Sequence, residues 1–431
     1  MFGVRANTVL RRQGGGDGTG PWLLLAGLST ALTGCLTLEP RFQWGAEVAG
    51  MVFLGALWGA ALLLERWKGY DKWLLPIAGT ANVCGLLLSF RLEPGTFYRQ
   101  TVYSVLGLAL LVALVSIARR YPAWPEGYRW MSCLAMGVLL LTGLFGRQVN
   151  GARSWLILGG LGFEPSQPAL AIFALAIGMV FRRETREIWW LAAAAILLMM
   201  THNLGAILVL VLLLGGGAYL QGWSWRRLGL LAAGFLALGV SFYFIFPVVH
   251  ERLALWFKQG AGVPEVSWQM VMAFQAFAKG RLWGVGFRTA VPGNIPAAGN
   301  DFVFAAWAEI AGVWVTWLIL GLYLAYLYRG LKGTARVFPG AALSVRTLAL
   351  SIACQALLLA GGNIGVLPLT GVPMPFVSTG GSTIVGSYLT TGMILSLGPP
   401  GELGVRERKL FGTAFLVTAA LGLAVLGRSF G

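Results

Sequence analysis

Residues 361–382 read GGNIGVLPLTGVPMPFVSTGGS, and this stretch interrupts an otherwise apolar part of the chain with three prolines and repeated glycines. Prolines and glycines at this density break regular helices. Lipid cannot satisfy the backbone groups that such a break exposes, so irregular backbone persists at membrane depth only where protein buries it or where it lines a polar cavity. The stretch therefore predicts a polar site inside a membrane protein, with a plain loop between two helices as the simpler alternative.

The composition indicates an integral membrane protein. Of 431 residues, 57% are hydrophobic and 11% are charged, whereas soluble domains carry about 25% charged residues. Apolar runs bounded by charges predict thirteen membrane segments, several of them shorter than the ~20 residues that a straight crossing needs. They lie near 22–38, 45–64, 72–90, 101–118, 128–145, 165–181, 188–200, 203–220, 228–249, 302–328, 342–361, 374–397 and 410–427. Only Thr201, His202 and Asn203 separate the seventh from the eighth, so one long helix is the alternative there.

The distribution of charge predicts the orientation. The formal net charge is +16, from 32 Lys and Arg against 16 Asp and Glu. If the N-terminus is cytoplasmic, 21 of these 32 basic residues fall in cytoplasmic segments, and five of the others fall in one long outer loop at 250–301. This agrees with the positive-inside rule. Membrane orientation thus explains the basic balance, and no nucleic acid is expected as a partner.

The N-terminus and the rare residue types add little chemistry. Residues 1–21 are basic and rich in glycine, which predicts a disordered cytoplasmic leader. The four cysteines lie inside apolar segments without paired spacing, and the two histidines are isolated from other candidate ligands. These residue types therefore predict no metal site.

Four blocks of sequence carry a resemblance to a known family. The first holds Gln355, Asn363, Gly365, Pro368, Thr370, Gly371, Pro375, Phe376, Ser378, Gly380, Gly381 and Ser382. The others are NGARSW at 150–155, the stretch from Trp268 and Gln269 to Gly286, and DFVFA at 301–305, which Glu309 follows. Together they resemble the SEDS family of polytopic polymerases, typified by FtsW, RodA and SpoVE. The first block departs from the family pattern at Thr379 and Thr383.

The resemblance implies an all-α polytopic membrane protein of the bacterial cytoplasmic membrane. Its expected organisation is a ten-helix core at 70–398, which includes the outer loop at 250–301. Residues 22–69 would add two N-terminal transmembrane helices, and residues 399–431 would add a basic linker and one C-terminal transmembrane helix.

The resemblance also implies a function. The family polymerises lipid II, an undecaprenyl-pyrophosphate disaccharide peptide, into glycan strands at the outer face of the membrane, as an inverting glycosyltransferase. It works with a single-pass class B penicillin-binding protein, a transpeptidase, among membrane lipids. Two alternatives stay open: a flippase for the same precursor, and a non-catalytic scaffold of the wall-synthesis complex. A role in division, elongation or sporulation is not distinguished.

The site residues follow from the matching blocks. Asp301 occupies the position of the family's essential acidic residue and is the predicted catalytic base, although Asp before an apolar run is also a preferred helix N-cap. The predicted supporting residues are Glu309, Gln269, Asn363, Thr370 and Ser378. The predicted ligands of the pyrophosphate are Arg153, Arg147, Lys279 and Arg281, with Arg288 as a further candidate. A divalent cation is a conceivable cofactor, but one carboxylate is a thin ligand set.

The chain departs from the family at three ionisable positions. Where the family reads F-Q-P-S-E-F-A-K, residues 167–170 are Gln, Pro, Ala and Leu, and where it reads Q-P-D-L-G, Asn203 replaces the Asp. Charges near the bilayer interior are costly unless they are paired, so their joint loss indicates one network. We expect Gln167 and Asn203 to face a shared interior and to form hydrogen bonds without charge.

The outer loop contains one amphipathic segment at 266–279. Met270, Phe274 and Phe277 recur there at helical spacing. This pattern predicts a helix at the outer membrane surface, either a mobile element beside a lipid groove or a plain interfacial anchor.

Overall fold

A computed structural model describes residues 20–38, 44–67, 70–122, 124–149, 152–158, 161–182, 189–245, 247–258, 264–332 and 339–398, and positions 406, 409 and 413. Within these ranges the chain forms fourteen α-helices and three short β-strands. The helices are α1 (Gly20–Leu38), α2 (Trp44–Glu65), α3 (Leu74–Leu92), α4 (Pro94–Arg120), α5 (Tyr128–Phe145), α6 (Ser166–Arg182), α7 (Trp189–Met200), α8 (Leu204–Gln221), α9 (Trp225–Ile245), α10 (Pro247–Lys258), α11 (Pro264–Gly280), α12 (Val303–Leu331), α13 (Pro339–Ile364) and α14 (Gly381–Leu397). The strands are β1 (Arg147–Val149), β2 (Ala152–Leu158) and β3 (Leu161–Phe163).

Most predicted membrane segments coincide with helices. Eight described helices are long and apolar enough to cross a bilayer, and α1 and the core of α6 are shorter apolar helices. The predicted segment at 374–397 begins too early, because the chain becomes helical only at Gly381. The predicted last segment at 410–427 and nearly all of the predicted leader at 1–21 lie outside the described residues. The chain is thus a multi-pass membrane protein with a helical core.

Residues 201–203 separate two helices, so the alternative of one long helix is wrong. His202 has a positive φ of 54°, and the Asn203 side chain accepts a hydrogen bond from the Ala206 amide at 3.0 Å, which caps α8. The Thr201 carbonyl accepts a hydrogen bond from the Arg153 amide of β2 at 2.9 Å. The turn is therefore held at the same end of the bundle as the strands.

Small residues allow close helix packing in the core. A Cβ added to Gly178 on α6 would overlap the backbone of Ser344 on α13. At the same contact, the Ser344 hydroxyl donates to the Leu175 carbonyl at 2.9 Å, and the Thr347 hydroxyl donates to the Ala174 carbonyl at 2.6 Å. Close approach of backbones with hydroxyl hydrogen bonds is the usual way in which helices associate inside membranes.

The irregular stretch after α13 is buried among helices. Asn82 on α3 donates to the Phe376 carbonyl at 3.2 Å, and Gln100 on α4 donates to the Ser378 carbonyl at 3.0 Å. Tyr323 on α12 donates to the Pro375 carbonyl. Side chains thus satisfy the backbone that lipid could not. Protein therefore encloses this part of the stretch.

Helix α12 is broken at Gly312, where φ is 76° and ψ is −172°. The loop after α11 fills the gap in the hydrogen-bond ladder. The Val285 and Gly286 amides donate to the carbonyls of Glu309 and Ile310, each at 3.0 Å, and the Val313 amide donates to the Arg281 carbonyl at 3.0 Å. The first two turns of α12 are therefore fastened to this loop.

The structure differs from the sequence prediction in two loops, of which one contains strands and the other a helix that packs on protein. Strands β1, β2 and β3 form a small antiparallel sheet, with Arg147 opposite Trp155 and Leu156 opposite Phe163. Helix α11 confirms the helix expected at 266–279, but its apolar face packs on α12, where Phe277 lies 6.2 Å from Phe304 between ring centroids. Protein therefore covers part of that face.

Candidate active site

A polar cavity of about 590 Å³ lies where the first turns of α4, α8 and α14 meet the segment before α12. Asp301 and Thr370, two of the predicted site residues, line it. The lining residues are Thr96, Arg99, Gln100, Tyr103, Ser154, Trp155, Gly162, Glu164, His202, Asn203, Leu204, Gly205, Ala297, Asn300, Asp301, Thr370, Gly371, Pro373, Thr379, Gly380, Gly381, Ser382 and Thr383. Residues that are distant in sequence thus converge on Asp301.

Asn363 fixes the backbone at Asp301. Its amide nitrogen donates to the Asp301 carbonyl at 2.6 Å, and its amide oxygen accepts from the Ala305 amide at 3.2 Å. Asn363 is fully buried, and its bond from the Ala305 amide is buried as well. The N-cap position of α12 is Phe302, so Asp301 precedes the cap. The alternative of Asp301 as the N-cap is therefore wrong.

The segment at 299–301 rests on the loop before α14. The Ser378 hydroxyl donates to the Asn300 carbonyl at 3.0 Å and accepts from the Met374 amide at 2.9 Å. The Thr379 amide donates to the Gly299 carbonyl at 2.7 Å. Predicted supporting residue Ser378 thus contacts the neighbour of Asp301 and does not itself line the cavity.

Glu164 is a second carboxyl group in this cavity. Its Oε1 accepts hydrogen bonds from Asn203 Nδ2 at 2.9 Å and from the Ser166 hydroxyl at 2.6 Å. Its backbone amide donates to the Ser382 hydroxyl of α14 at 2.7 Å. Burial raises the pKa of the Glu164 carboxyl, and the negative charge of Asp301 raises it further, whereas the bonds from Ser166 and Asn203 lower it.

The donor set does not fit a resident divalent cation. Such ions take six or more oxygen ligands, several of them ionised carboxylates. Glu164 Oε1 already accepts hydrogen bonds from Asn203 and Ser166, and Asp301 is the one other carboxylate among the described residues that line the cavity. Among the described residues, His, Cys, Asp and Glu form no group of three or more that could hold a metal.

Sequence comparison agrees with this geometry. A family model described as "Cell cycle protein", for FtsW, RodA and SpoVE, matches residues 88–399. The chain belongs to this family. The SEDS family is its other designation, so the resemblance of the four sequence blocks is confirmed, although the match begins later than residue 70.

Relatives of known class match over most of their length. The peptidoglycan glycosyltransferase RodA of Mycobacterium leprae is 27% identical over 429 residues, which cover 90% of this chain and 91% of that protein. The probable peptidoglycan glycosyltransferase FtsW of Nitrosococcus halophilus is 29% identical over 344 residues, which cover 74% of this chain and 87% of that protein.

Solved structures share the fold. A chain from a peptidoglycan synthase complex, described for the structural coordination of polymerization and crosslinking, has a TM-score of 0.64 and 25% identity and covers 76% of this chain and 97% of its own. RodA of Thermus thermophilus has a TM-score of 0.58 and 24% identity, with 77% and 97% coverage. The fold is therefore that of RodA.

The basic residues of the cavity differ from those expected from the SEDS blocks. Arg153 and Arg147 are exposed on the sheet, and Arg153 immediately precedes two lining residues. Lys279 and Arg281 are exposed at the end of α11. None of these four side chains lines the cavity, whereas Arg99 of α4 does. Sequence reasoning missed Arg99, which lies in none of the four blocks.

Arg288 is exposed as well and does not line the cavity. Its carbonyl accepts a hydrogen bond from Arg91 at 3.2 Å. Glu309 is buried two turns along α12, where its Oε1 accepts from the Val291 amide at 3.3 Å. Gln269 is half-buried on α11 and does not line the cavity. Glu309 thus supports the loop before Asp301, and Gln269 lies apart from it.

The lost family charges are explained only in part. Asn203 lines the cavity and forms hydrogen bonds without charge, as expected, but its partners are Glu164 and Ser166. Gln167 is buried beside Gly386 of α14 and does not line the cavity. Glu164 stands at the second position of the F-Q-P-S-E-F-A-K stretch, where the family has Gln. Sequence reasoning missed this gain of a carboxyl group beside the loss at residue 167.

Proposed function

We propose that this protein is a peptidoglycan glycosyltransferase that polymerises lipid II into glycan strands, with Asp301 as the catalytic base. The observation that carries the proposal is the junction of two cavities. The polar cavity at Asp301 shares Leu204, Gly205 and Thr370 with an apolar groove of about 650 Å³. A polar headgroup site that opens into an apolar groove matches a substrate with a sugar headgroup and a long hydrocarbon chain.

The groove has the chemistry for a polyprenyl chain. Helices α8, α9 and α10 form its walls with residues such as Val211, Phe235, Phe242 and Phe257. Helix α9 has no buried residue among those described, so it stands away from the core and leaves the groove accessible. Such walls are as apolar as the bilayer interior, so a polyprenyl chain can pass from lipid into the groove without exposure to water.

Asp301 is positioned for base catalysis. Glycosyl transfer forms a bond between the acceptor hydroxyl oxygen and the anomeric carbon, while the bond from that carbon to the diphosphate breaks and its electron pair leaves with the diphosphate. Asp301 takes the hydroxyl proton. Asn363 holds its backbone carbonyl, which limits the positions that the carboxylate can reach before substrate binds.

Arg99 is the group best suited to the departing diphosphate. Among the described lining residues it is the one with a permanent positive charge. Its Nη2 donates to the Thr96 hydroxyl at 3.2 Å, and that hydroxyl donates to Glu93 at 2.7 Å. These two hydrogen bonds orient the guanidinium, whose planar donors bind phosphate oxygens. Arg153 and Arg147, the predicted ligands of the pyrophosphate, would then act only at the rim of the polar cavity.

The cavity end is proposed to face the cell exterior. Helices α4, α8 and α12 all begin at the cavity, and basic residues cluster at or beyond their other ends. These include Arg119, Arg120, Arg226, Arg227 and Arg329. The positive-inside rule assigns such an end to the cytoplasm. Combined with the helix count, this supports a cytoplasmic N-terminus in the bacterial cytoplasmic membrane.

The two helices before the family match are proposed to be an N-terminal addition to a ten-helix core at 70–398. Helix α1 packs on α3, and α2 packs on α4, so both lie outside the core helices that hold the cavity. The basic linker and extra helix of residues 399–431 remain part of this proposal. A crosslinking transpeptidase is the proposed partner, because the similar chain occurs in a peptidoglycan synthase complex that coordinates polymerization with crosslinking.

The test is glycan-strand formation from purified lipid II by wild type and Asp301→Asn, with a class B transpeptidase supplied. Loss of the base is expected to reduce kcat by about 10²- to 10⁴-fold. Glu126→Gln is the matched control, since Glu126 is exposed beyond the far end of α4. Wild-type activity in Asp301→Asn would remove Asp301 as the base. Precursor transport without polymerisation by the folded wild type would instead support a flippase. The absence of both activities would support a scaffold.

A further inference from the structure

Three separate elements hold Glu164 in the cavity, two of them through its carboxyl group and one through its backbone amide. Asn203 at the start of α8 and Ser166 at the start of α6 both donate to Oε1, and Ser382 of α14 accepts from the Glu164 amide. Because Oε1 already accepts two hydrogen bonds, a proton on this carboxyl group resides on Oε2. The side chain is therefore oriented like a catalytic or binding group, although the base in the proposed reaction is Asp301.

The charged groups that line the cavity act on Glu164 in opposite directions, because the carboxylate of Asp301 disfavours the ionised form of Glu164 and the guanidinium of Arg99 favours it. Asp301 lines the same cavity from the segment before α12 and repels a second negative charge. Arg99 and Tyr103 line it from α4, and His202 lines it from the turn before α8. Arg153 on β2 is exposed. An ionised Glu164 would also repel the diphosphate that the proposed function brings into this cavity.

We propose that Glu164 keeps its proton while Asp301 is ionised and donates a hydrogen bond from Oε2 to a diphosphate oxygen of the lipid-linked substrate. This rests on the proposed function, which supplies the diphosphate. Glu164 transfers no proton in the reaction. The acceptor proton goes to Asp301, and the electron pair of the broken bond leaves with the diphosphate, so Glu164 ends each cycle as it began.

A glutamine at this position reproduces the protonated state. Its Oε1 can accept from Asn203 and Ser166 as Glu164 does, and its Nε2 donates where Oε2–H would. Glutamine cannot ionise. Glu164→Gln is therefore expected to remove the decline in kcat/KM at higher pH that ionisation of Glu164 causes in the wild type.

The proton is tested first, without any need for polymerase activity. Difference infrared spectroscopy of the full-length protein, wild type minus Glu164→Gln, reports the C=O stretch of a protonated carboxyl group as the pH is raised. The band is expected at neutral pH, and in Asp301→Asn its midpoint should move to lower pH, because the repelling charge is gone. A carboxyl group that is already ionised at neutral pH in the wild type would overturn the proposal.

Activity profiles from pH 6 upward then test the hydrogen bond. Glu164→Ala, which lacks the donor, is expected to lower kcat/KM by roughly 10- to 100-fold, as for a hydrogen bond to a charged group. Glu164→Gln should lose only the alkaline decline, and the control Glu126→Gln should keep the wild-type profile. Full activity in Glu164→Ala, or an unchanged alkaline decline in Glu164→Gln, would refute the substrate contact.

The two proposals fail in different ways. If the folded wild type forms no glycan strands but the infrared band behaves as expected, the polymerase assignment fails and the proton on Glu164 stands. If glycan strands form and the infrared band is absent, the polymerase assignment stands and the proton on Glu164 is refuted.

Discussion

Replacement of Asn363 by alanine separates the position of Asp301 from its chemistry. The side chain makes two hydrogen bonds, to the Asp301 carbonyl at 2.6 Å and from the Ala305 amide at 3.2 Å. Leaving a buried backbone group unpaired costs about 1–3 kcal/mol, so the loss of both amounts to about 2–6 kcal/mol at the start of α12. The segment relieves this cost by moving toward water in the cavity, and Asp301 moves with it.

A displacement of ~1 Å at a reacting group costs about 10²-fold in rate. Asn363→Ala is therefore expected to lower kcat for lipid II polymerisation by about 10²-fold, while KM changes little because Arg99 and the apolar groove are untouched. Steady-state rates over a range of lipid II concentrations separate the two constants. The control is Ser351→Ala in the same helix, where the buried hydroxyl bonds only the Leu348 carbonyl of α13 itself. A folded Asn363→Ala protein with wild-type kcat would refute this account.

Two further changes test the diphosphate site and the broken helix. Arg99→Gln removes a charge-assisted contact and is expected to lower kcat/KM by about 10- to 100-fold, which titration with lipid II would reveal; an unchanged constant would exclude Arg99 from the site. Gly312→Ala places a Cβ against the Leu282 carbonyl at a φ of 76°, so thermal unfolding should show a loss of about 1–3 kcal/mol. Gly321→Ala is its control, because an added Cβ there meets open space; equal stability of the two variants would contradict the strain.

The positions of the membrane helices could be predicted because the bilayer imposes them. A long apolar run has no other stable place, so the boundaries of α2, α5 and α8 follow the hydropathy closely. The sheet at 147–163 could not be predicted in this way. Its strands are short, so their pairing depends on contacts such as the hydrogen bond from the Arg153 amide to the Thr201 carbonyl.

The candidate site was predictable where one residue carries the role and not where several residues converge. Asp301 follows from its place before an apolar helix and from the family motif. Arg99 and Glu164 reach the same cavity from segments about 140 to 200 positions earlier in the chain, and no local pattern encodes that meeting. Lys279 and Arg281 have the right charge and lie close to Asp301 in sequence, but the end of α11 leaves both exposed to solvent.

The support of the segment at 299–301 has a consequence for biosynthesis. Two of its hydrogen-bond donors lie later in the chain: Asn363, 62 positions after Asp301, and Ser378, 78 positions after Asn300. Chains fold from the N-terminus during synthesis, so Asp301 leaves the ribosome long before anything can hold it. A nascent chain arrested after α12 would contain Arg99, Glu164 and Asp301 but would lack Asn363 and Ser378, which hold the segment at 299–301. The site thus becomes competent for catalysis late in synthesis, when α13 and α14 enter the membrane and pack against the segment at 299–301.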